Sequence, residues 1–123
     1  MSPASALATR DVRDAAPLFA ALGDETRLRL VLRLSEGPES ITQLTAKAPV
    51  SRQAITKHLT VLSEAGLVRD EWRGRMRVWQ LEQKRMNEAR IYLERISQHW
   101  DDALGRLQVF VEDGRADRGG QRT

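Results

Sequence analysis

Ser51, Arg52, Gln53, Thr56, Lys57 and Thr60 fall within ten residues of one another, and Arg73, Arg75 and Arg77 within five. None is a strong nucleophile or a soft metal ligand. They are hydrogen-bonding and cationic groups, suited to gripping a polyanion and reading polar edges. Glutamine pairs with adenine, threonine reaches base edges or the thymine methyl, and lysine or arginine reaches guanine or phosphate. Ser51 and the free N–H groups of the helix it opens are natural phosphate contacts. The three arginines surround Gly74 between Trp72 and Trp79, in "DEWRGRMRVWQLE", so double-stranded DNA is the expected partner.

Other chemistry is poorly provided for. The chain has no cysteine, which removes disulfides, thiolate catalysis and cysteine-ligated metal sites together. Its two histidines, His58 and His99, lie on different expected helices, with no catalytic motif and no glycine-rich phosphate loop around them. No enzyme activity, catalytic residue, metal or cofactor is expected. There is no long apolar run and no leader pattern, so neither a membrane partner nor export is expected, and a cytoplasmic location is. The 123 residues suffice for one domain with a modest core. The net charge is only +3, yet residues 51–80 hold six cations against three anions, while 82–113 hold five against seven. The basic middle of the chain is where a polyanion would bind.

These side chains must be held by helices and a hairpin. Residues 1–13 read as a disordered arm and 114–123 as a disordered tail, leaving 14–113 as the folded domain. Asp14 can cap a first helix to Leu22, with Pro17 in its first turn. Asp24 caps a second, whose apolar period runs through Leu28, Val31 and Leu32, widened by Leu30 and Leu34, to a stop at Gly37-Pro38. A short third helix covers about 41–47, and Ser51 caps a fourth to about Ala65. On that fourth helix Ile55, Leu59 and Leu62 share one face, and Gln53, Thr56, Lys57 and Thr60 the opposite one. "LVRDEW" and "MRVWQL" then read as two strands around a tight turn at Gly74. Trp79 and Leu81 are expected to anchor the second strand, with Trp72 at the hairpin's base. A long last helix runs from about Lys84 to Glu112. The fold class is mainly α with a small β-hairpin, in the order ααααββα.

On the last helix Met86, Ala89, Leu93, Ile96, Trp100, Ala103, Leu107 and Phe110 recur at alternating spacings of three and four, a heptad seam. Tyr92, Leu104 and Val111 add a second apolar flank. So small a domain can hardly cover both, which points to a homodimer with a twofold DNA site.

"ALGDETRLRLVLRL", "ITQLT", "SRQAITKHLTVLSEAGLV" and "RGRMRVWQL" together resemble the ArsR/SmtB-type winged helix-turn-helix repressors of bacteria, over roughly residues 15–112. The resemblance implies a homodimeric transcriptional repressor with the fourth helix in the major groove and the hairpin as its wing. It also implies a dimer interface on the first and last helices, here Leu18, Phe19 and Leu22 with Leu93, Ile96, Trp100, Leu104, Leu107 and Phe110. Many members of that family sense metal through a cysteine pair on the third helix. This chain has "SITQLT" there and a lone His99 on the last helix, so it resembles a metal-free branch. Any small-molecule effector is left unnamed by the residues. The competing reading is a winged-helix module that binds a protein and touches DNA only non-specifically. Against it stands the outer face of the fourth helix, which lacks the aromatic or aliphatic anchors of a protein-binding face.

Overall fold

The computed structural model describes residues 9–121 and the side-chain surroundings of residues 11–114. Two compact units divide the described residues, Thr9–Arg90 and those from Ile91 onward.

The first unit contains four helices, α1 (Thr9–Leu22), α2 (Glu25–Glu36), α3 (Ile41–Ala46) and α4 (Arg52–Glu64), and a three-stranded antiparallel sheet. The strands are β1 (Glu39–Ser40), β2 (Val68–Arg73) and β3 (Met76–Leu81), in the order β1-β3-β2. A last helix, α5 (Gln83–Gln121), starts in this unit. Leu18, Leu44, Ile55, Leu59, Leu62 and Leu67 are its fully buried large side chains, and Trp79 and Ala89 close the same cluster. The Arg85 guanidinium fastens the start of α5 by donating to the carbonyls of Ala65 (3.3 Å) and Asp14 (3.1 Å).

Helix boundaries follow their caps. The Asp24 carboxylate accepts the Arg27 N–H (3.1 Å) and opens α2. Ser40 opens α3 with a reciprocal capping box: its Oγ accepts from the Gln43 N–H (3.2 Å), and Gln43 Oε1 accepts from the Ser40 N–H (2.8 Å). Ser51 Oγ accepts the Ala54 N–H (3.2 Å) and opens α4.

Several expectations need correction. Residues 9–13, read as part of a disordered arm, form the start of α1, with Asp11 favourably placed in its first turn. Pro17 therefore lies inside the helix, where its missing N–H removes one rung of the ladder. Residues 114–121, read as tail, extend α5 despite three glycines; residues 1–8 and 122–123 lie outside the described range. Strand β1 was not foreseen. It pairs Glu39 with Trp79 and Ser40 with Val78, and two residues are too few to show an alternation. On α2 the buried stripe is Leu30, Val31 and Leu34, while Leu28 and Leu32 stay exposed. In a run this rich in leucine, periodicity alone cannot choose the face.

The second unit, in its described part, is the remainder of α5. Leu93, Trp100, Leu107 and Phe110 of its seam and Leu104 of the second flank are exposed, Phe110 by 75 %.

Candidate nucleic-acid interface

Ile55, Leu59 and Leu62 are each 0 % exposed, so the inner face of α4 is locked into the core. The helix cannot rotate without breaking that contact, and its opposite face is therefore fixed outward. Arg52, Gln53, Thr56, Lys57 and Thr60 all lie exposed there, the first two and Thr56 and Lys57 around one shallow depression. The Thr56 hydroxyl donates to the Arg52 carbonyl (2.9 Å) and the Thr60 hydroxyl to the Thr56 carbonyl (2.9 Å). Their hydroxyl protons are thus committed, leaving oxygen lone pairs and methyl groups for an outside partner. Because the Ser51 hydroxyl takes the Ala54 N–H and the helical ladder begins with Ile55 N–H to Ser51 C=O (3.0 Å), the Arg52 and Gln53 amides stand outside the ladder. They point from a helix N-terminus, which favours an anion.

The hairpin projects beside α4. Its register pairs Arg73 with Met76 around a two-residue turn, Gly74-Arg75. Gly74 has φ 65° and no non-glycine residue has a positive φ among those described, so glycine is needed at the first central position only, as in turns of the II′ class. Val78 and Trp79 bury the base of β3, and Leu81 packs on the core, as expected of anchors.

The wing arginines are not equivalent. Arg73 Nε lies 3.1 Å from a Glu71 carboxylate oxygen. Arg77 is ion-paired with Asp70, and its guanidinium carbon sits 5.0 Å from the centre of the Trp79 ring. Glu71 is held below the usual glutamate range, first by the hydrogen bond from Arg73 and then by that from Gln80. Arg75, at the tip, has no ion pair among the described residues. Two of the three wing arginines are thus offset by acidic residues of β2. The Arg77–Asp70 pair follows from the register of β2 against β3, and the Arg73–Glu71 pair from a spacing of two along β2. Trp72 also differs from expectation: it lies beside the turn, paired with Arg77, and is 68 % exposed.

His58 is half-buried on α4, with Nδ1 3.3 Å from Arg27 Nη1 and 3.7 Å from Asp24 Oδ2. It packs locally between α4 and the start of α2. Among the described residues no group of three or more His, Cys, Asp or Glu side chains is arranged to hold a metal ion. No described helix is long and apolar enough to cross a membrane.

A helix pair, an outward-facing polar second helix and a hairpin wing define the winged helix-turn-helix class. A helix-turn-helix domain family matches residues 22–71, which cover α2 to α4 and the start of the wing. The chain is 40 % identical over 95 residues to the HTH-type transcriptional regulator Rv2034 of Mycobacterium tuberculosis, covering 76 % of this chain and 86 % of that one. It is 30 % identical over 96 residues to the HTH-type transcriptional repressor SmtB of the same organism, covering 77 % and 70 %. An ArsR-like transcriptional regulator from Rhodococcus sp. RHA1 superposes with a TM-score of 0.67 at 38 % identity, covering 77 % of this chain and 90 % of that structure. The chain belongs to the ArsR/SmtB family of winged helix-turn-helix, DNA-binding transcriptional regulators.

Proposed function

We propose that the protein is a cytoplasmic, homodimeric transcriptional repressor that binds an inverted-repeat operator. The observation that carries this reading is the outer face of α4. Its cations Arg52 and Lys57 have no ion-pair partner among the described residues, and they stand beside Gln53 and Thr56 on a helix whose opposite face is wholly buried. Placed in a major groove, Gln53, Thr56 and Lys57 read base edges. Ser51, Arg52 and the unbonded amides hold the phosphate at the groove's edge, and Arg75 holds the backbone from the wing.

Two copies supply two such helices. The exposed side chains of Leu93, Trp100, Leu104, Leu107 and Phe110 support self-association through α5, with Ile96 half-buried among them. From α1, the half-buried Phe19 and Leu22 are the candidates to join them. Leu18, expected at the interface, is 1 % exposed within the chain's own core and offers no surface to a second copy. The recognition helices of such a dimer fall on half-sites about 34–36 Å apart, one turn of the duplex. An effector, if one is used, acts by binding the DNA-competent and DNA-incompetent dimers with different affinity.

The test is a titration of the region upstream of the protein's own gene against a scrambled duplex, at several salt concentrations, alongside sedimentation. A dimer with a clear preference for the natural duplex is expected. Leu107→Glu should yield a folded monomer with operator affinity reduced by orders of magnitude. Equal affinity for both duplexes at moderate salt would overturn the repressor reading.

A further inference from the structure

On the wing, the side chain that its arginines leave most conspicuous is an apolar one. Trp72 is 68 % exposed, one residue from the turn, although the same hairpin buries Trp79 to 5 %. Residues directly paired across antiparallel strands point to the same side of the sheet, so Trp72 shares a face with Arg77 and, two positions along, Trp79. That face borders a half-open cleft of about 640 Å³, whose far wall includes Thr42 of α3 and Arg52 and Thr56 of α4. Arg75 and Met76, the latter 55 % exposed, also line it.

We infer that Trp72 is an apolar DNA contact, its indole packing on deoxyribose and exposed base edges between the phosphates held by Arg52 and Arg75. The inference rests on the DNA-binding reading and adds to it a contact of a different physical kind. Three observations select DNA over a protein occupant. The cleft is continuous with the outer face of α4, sharing Arg52 and Thr56 with it. Its unpaired charges, Arg52 and Arg75, are both positive. The Arg77 guanidinium, tied to Asp70 and lying over Trp79, is stationed across the strand from Trp72 as a fixed neighbour and not as a free phosphate grip. An aromatic plate flanked by cations suits a sugar–phosphate surface, because aromatic contacts with nucleic acid tolerate any sequence while the cations meet the phosphates.

Packing of this kind releases no counterion, so its loss lowers affinity without changing the salt dependence. The full-length protein is titrated with its upstream duplex and with a scrambled duplex over a series of salt concentrations. Trp72→Ala is expected to raise Kd about 5- to 30-fold on both duplexes at unchanged log–log salt slope. Trp72→Phe should recover much of the loss, and Arg75→Ala should reduce the slope. Binding should also quench the tryptophan fluorescence of the parent more than that of Trp72→Phe, which retains Trp79 and Trp100. Because Trp72 is exposed, far-ultraviolet circular dichroism and the unfolding midpoint of the alanine variant should match the parent's. Parent-like affinity of Trp72→Ala would overturn the inference, and so would a loss accompanied by the same fall in slope as Arg75→Ala. If the parent prefers neither duplex, the operator reading falls, and the scrambled duplex still decides the role of Trp72.

Discussion

Arg52 and Lys57 on α4 and Arg73, Arg75 and Arg77 on the wing are all exposed cations within one basic stretch, yet their surroundings separate them. The α4 pair has no carboxylate partner among the described residues, whereas Arg73 is bound to Glu71 and Arg77 to Asp70. Only Arg75 on the wing resembles the α4 cations in being unpaired. Formal charge along the chain therefore overstates what the wing offers a phosphate. The difference follows from element type. On α4 the first turns of the outer face contain no acid, and Glu64, the acid on that face, stands at the far end of the helix, seven residues from Lys57. On the hairpin, cross-strand pairing brings Asp70 of β2 against Arg77 of β3, and the two-residue strand period sets Glu71 beside Arg73 on β2 itself.

The largest effect should come from α4. Lys57→Ala is expected to weaken operator binding about 10- to 100-fold and to relax sequence preference, since a base-edge contact carries discrimination. Competition between natural and point-altered duplexes measures both. A uniform loss over all duplexes would turn Lys57 into a phosphate grip and remove the functional difference between the two surfaces.

Arg75→Ala comes next. A phosphate contact at the tip should cost roughly tenfold, equally for every sequence, and reduce the salt slope by about one. Arg73→Ala should do distinctly less on both measures, because Glu71 already offsets that charge. Equal losses from the two would show that the ion pair on β2 opens on binding.

The comparison also has a gain-of-function form. Glu71→Gln removes the charge facing Arg73 and keeps a side chain of the same shape beside Gln80. Exposed ion pairs are weak, so the freed arginine should raise affinity only about two- to fivefold at low salt, fading as salt is added. Isothermal titration at two salt concentrations resolves this, and an unchanged affinity would show that the wing does not reach the backbone at Arg73.

Much of this architecture was legible in the sequence. Ile55, Leu59 and Leu62 follow a helical period with polar residues opposite, and all three are fully buried. Ser51, Asp24 and Gly74 announced two caps and a turn, because each has a specific local geometry to satisfy. What was hidden depended on contacts distant in the chain. The face of α2 was ambiguous because leucine lies on several sides of that helix. β1 exists only because β3 offers Glu39 and Ser40 an edge. The pairing of Arg77 with Asp70 and the exposure of Trp72 depend on register, which a composition of arginine and tryptophan around a glycine does not specify.

The smallest effect should lie at the helix start that positions α2 against α4. Asp24 is held below the usual aspartate range, first by the hydrogen bond from the Arg27 N–H and further by the charges of His58 and Arg27. A carboxyl lowered in the folded state stabilises the protein above its ordinary pKa, and that contribution disappears as pH falls through the lowered value. Asparagine caps helices as well as aspartate does but cannot ionise. Asp24→Asn should therefore lower the unfolding midpoint slightly at neutral pH and flatten its decline on acidification. Below the native pKa of Asp24 the two curves should converge. Parallel curves across the acid range would show that ionisation of Asp24 adds nothing to stability, so that neither the Arg27 N–H nor the charges of His58 and Arg27 favour the carboxylate in the folded state.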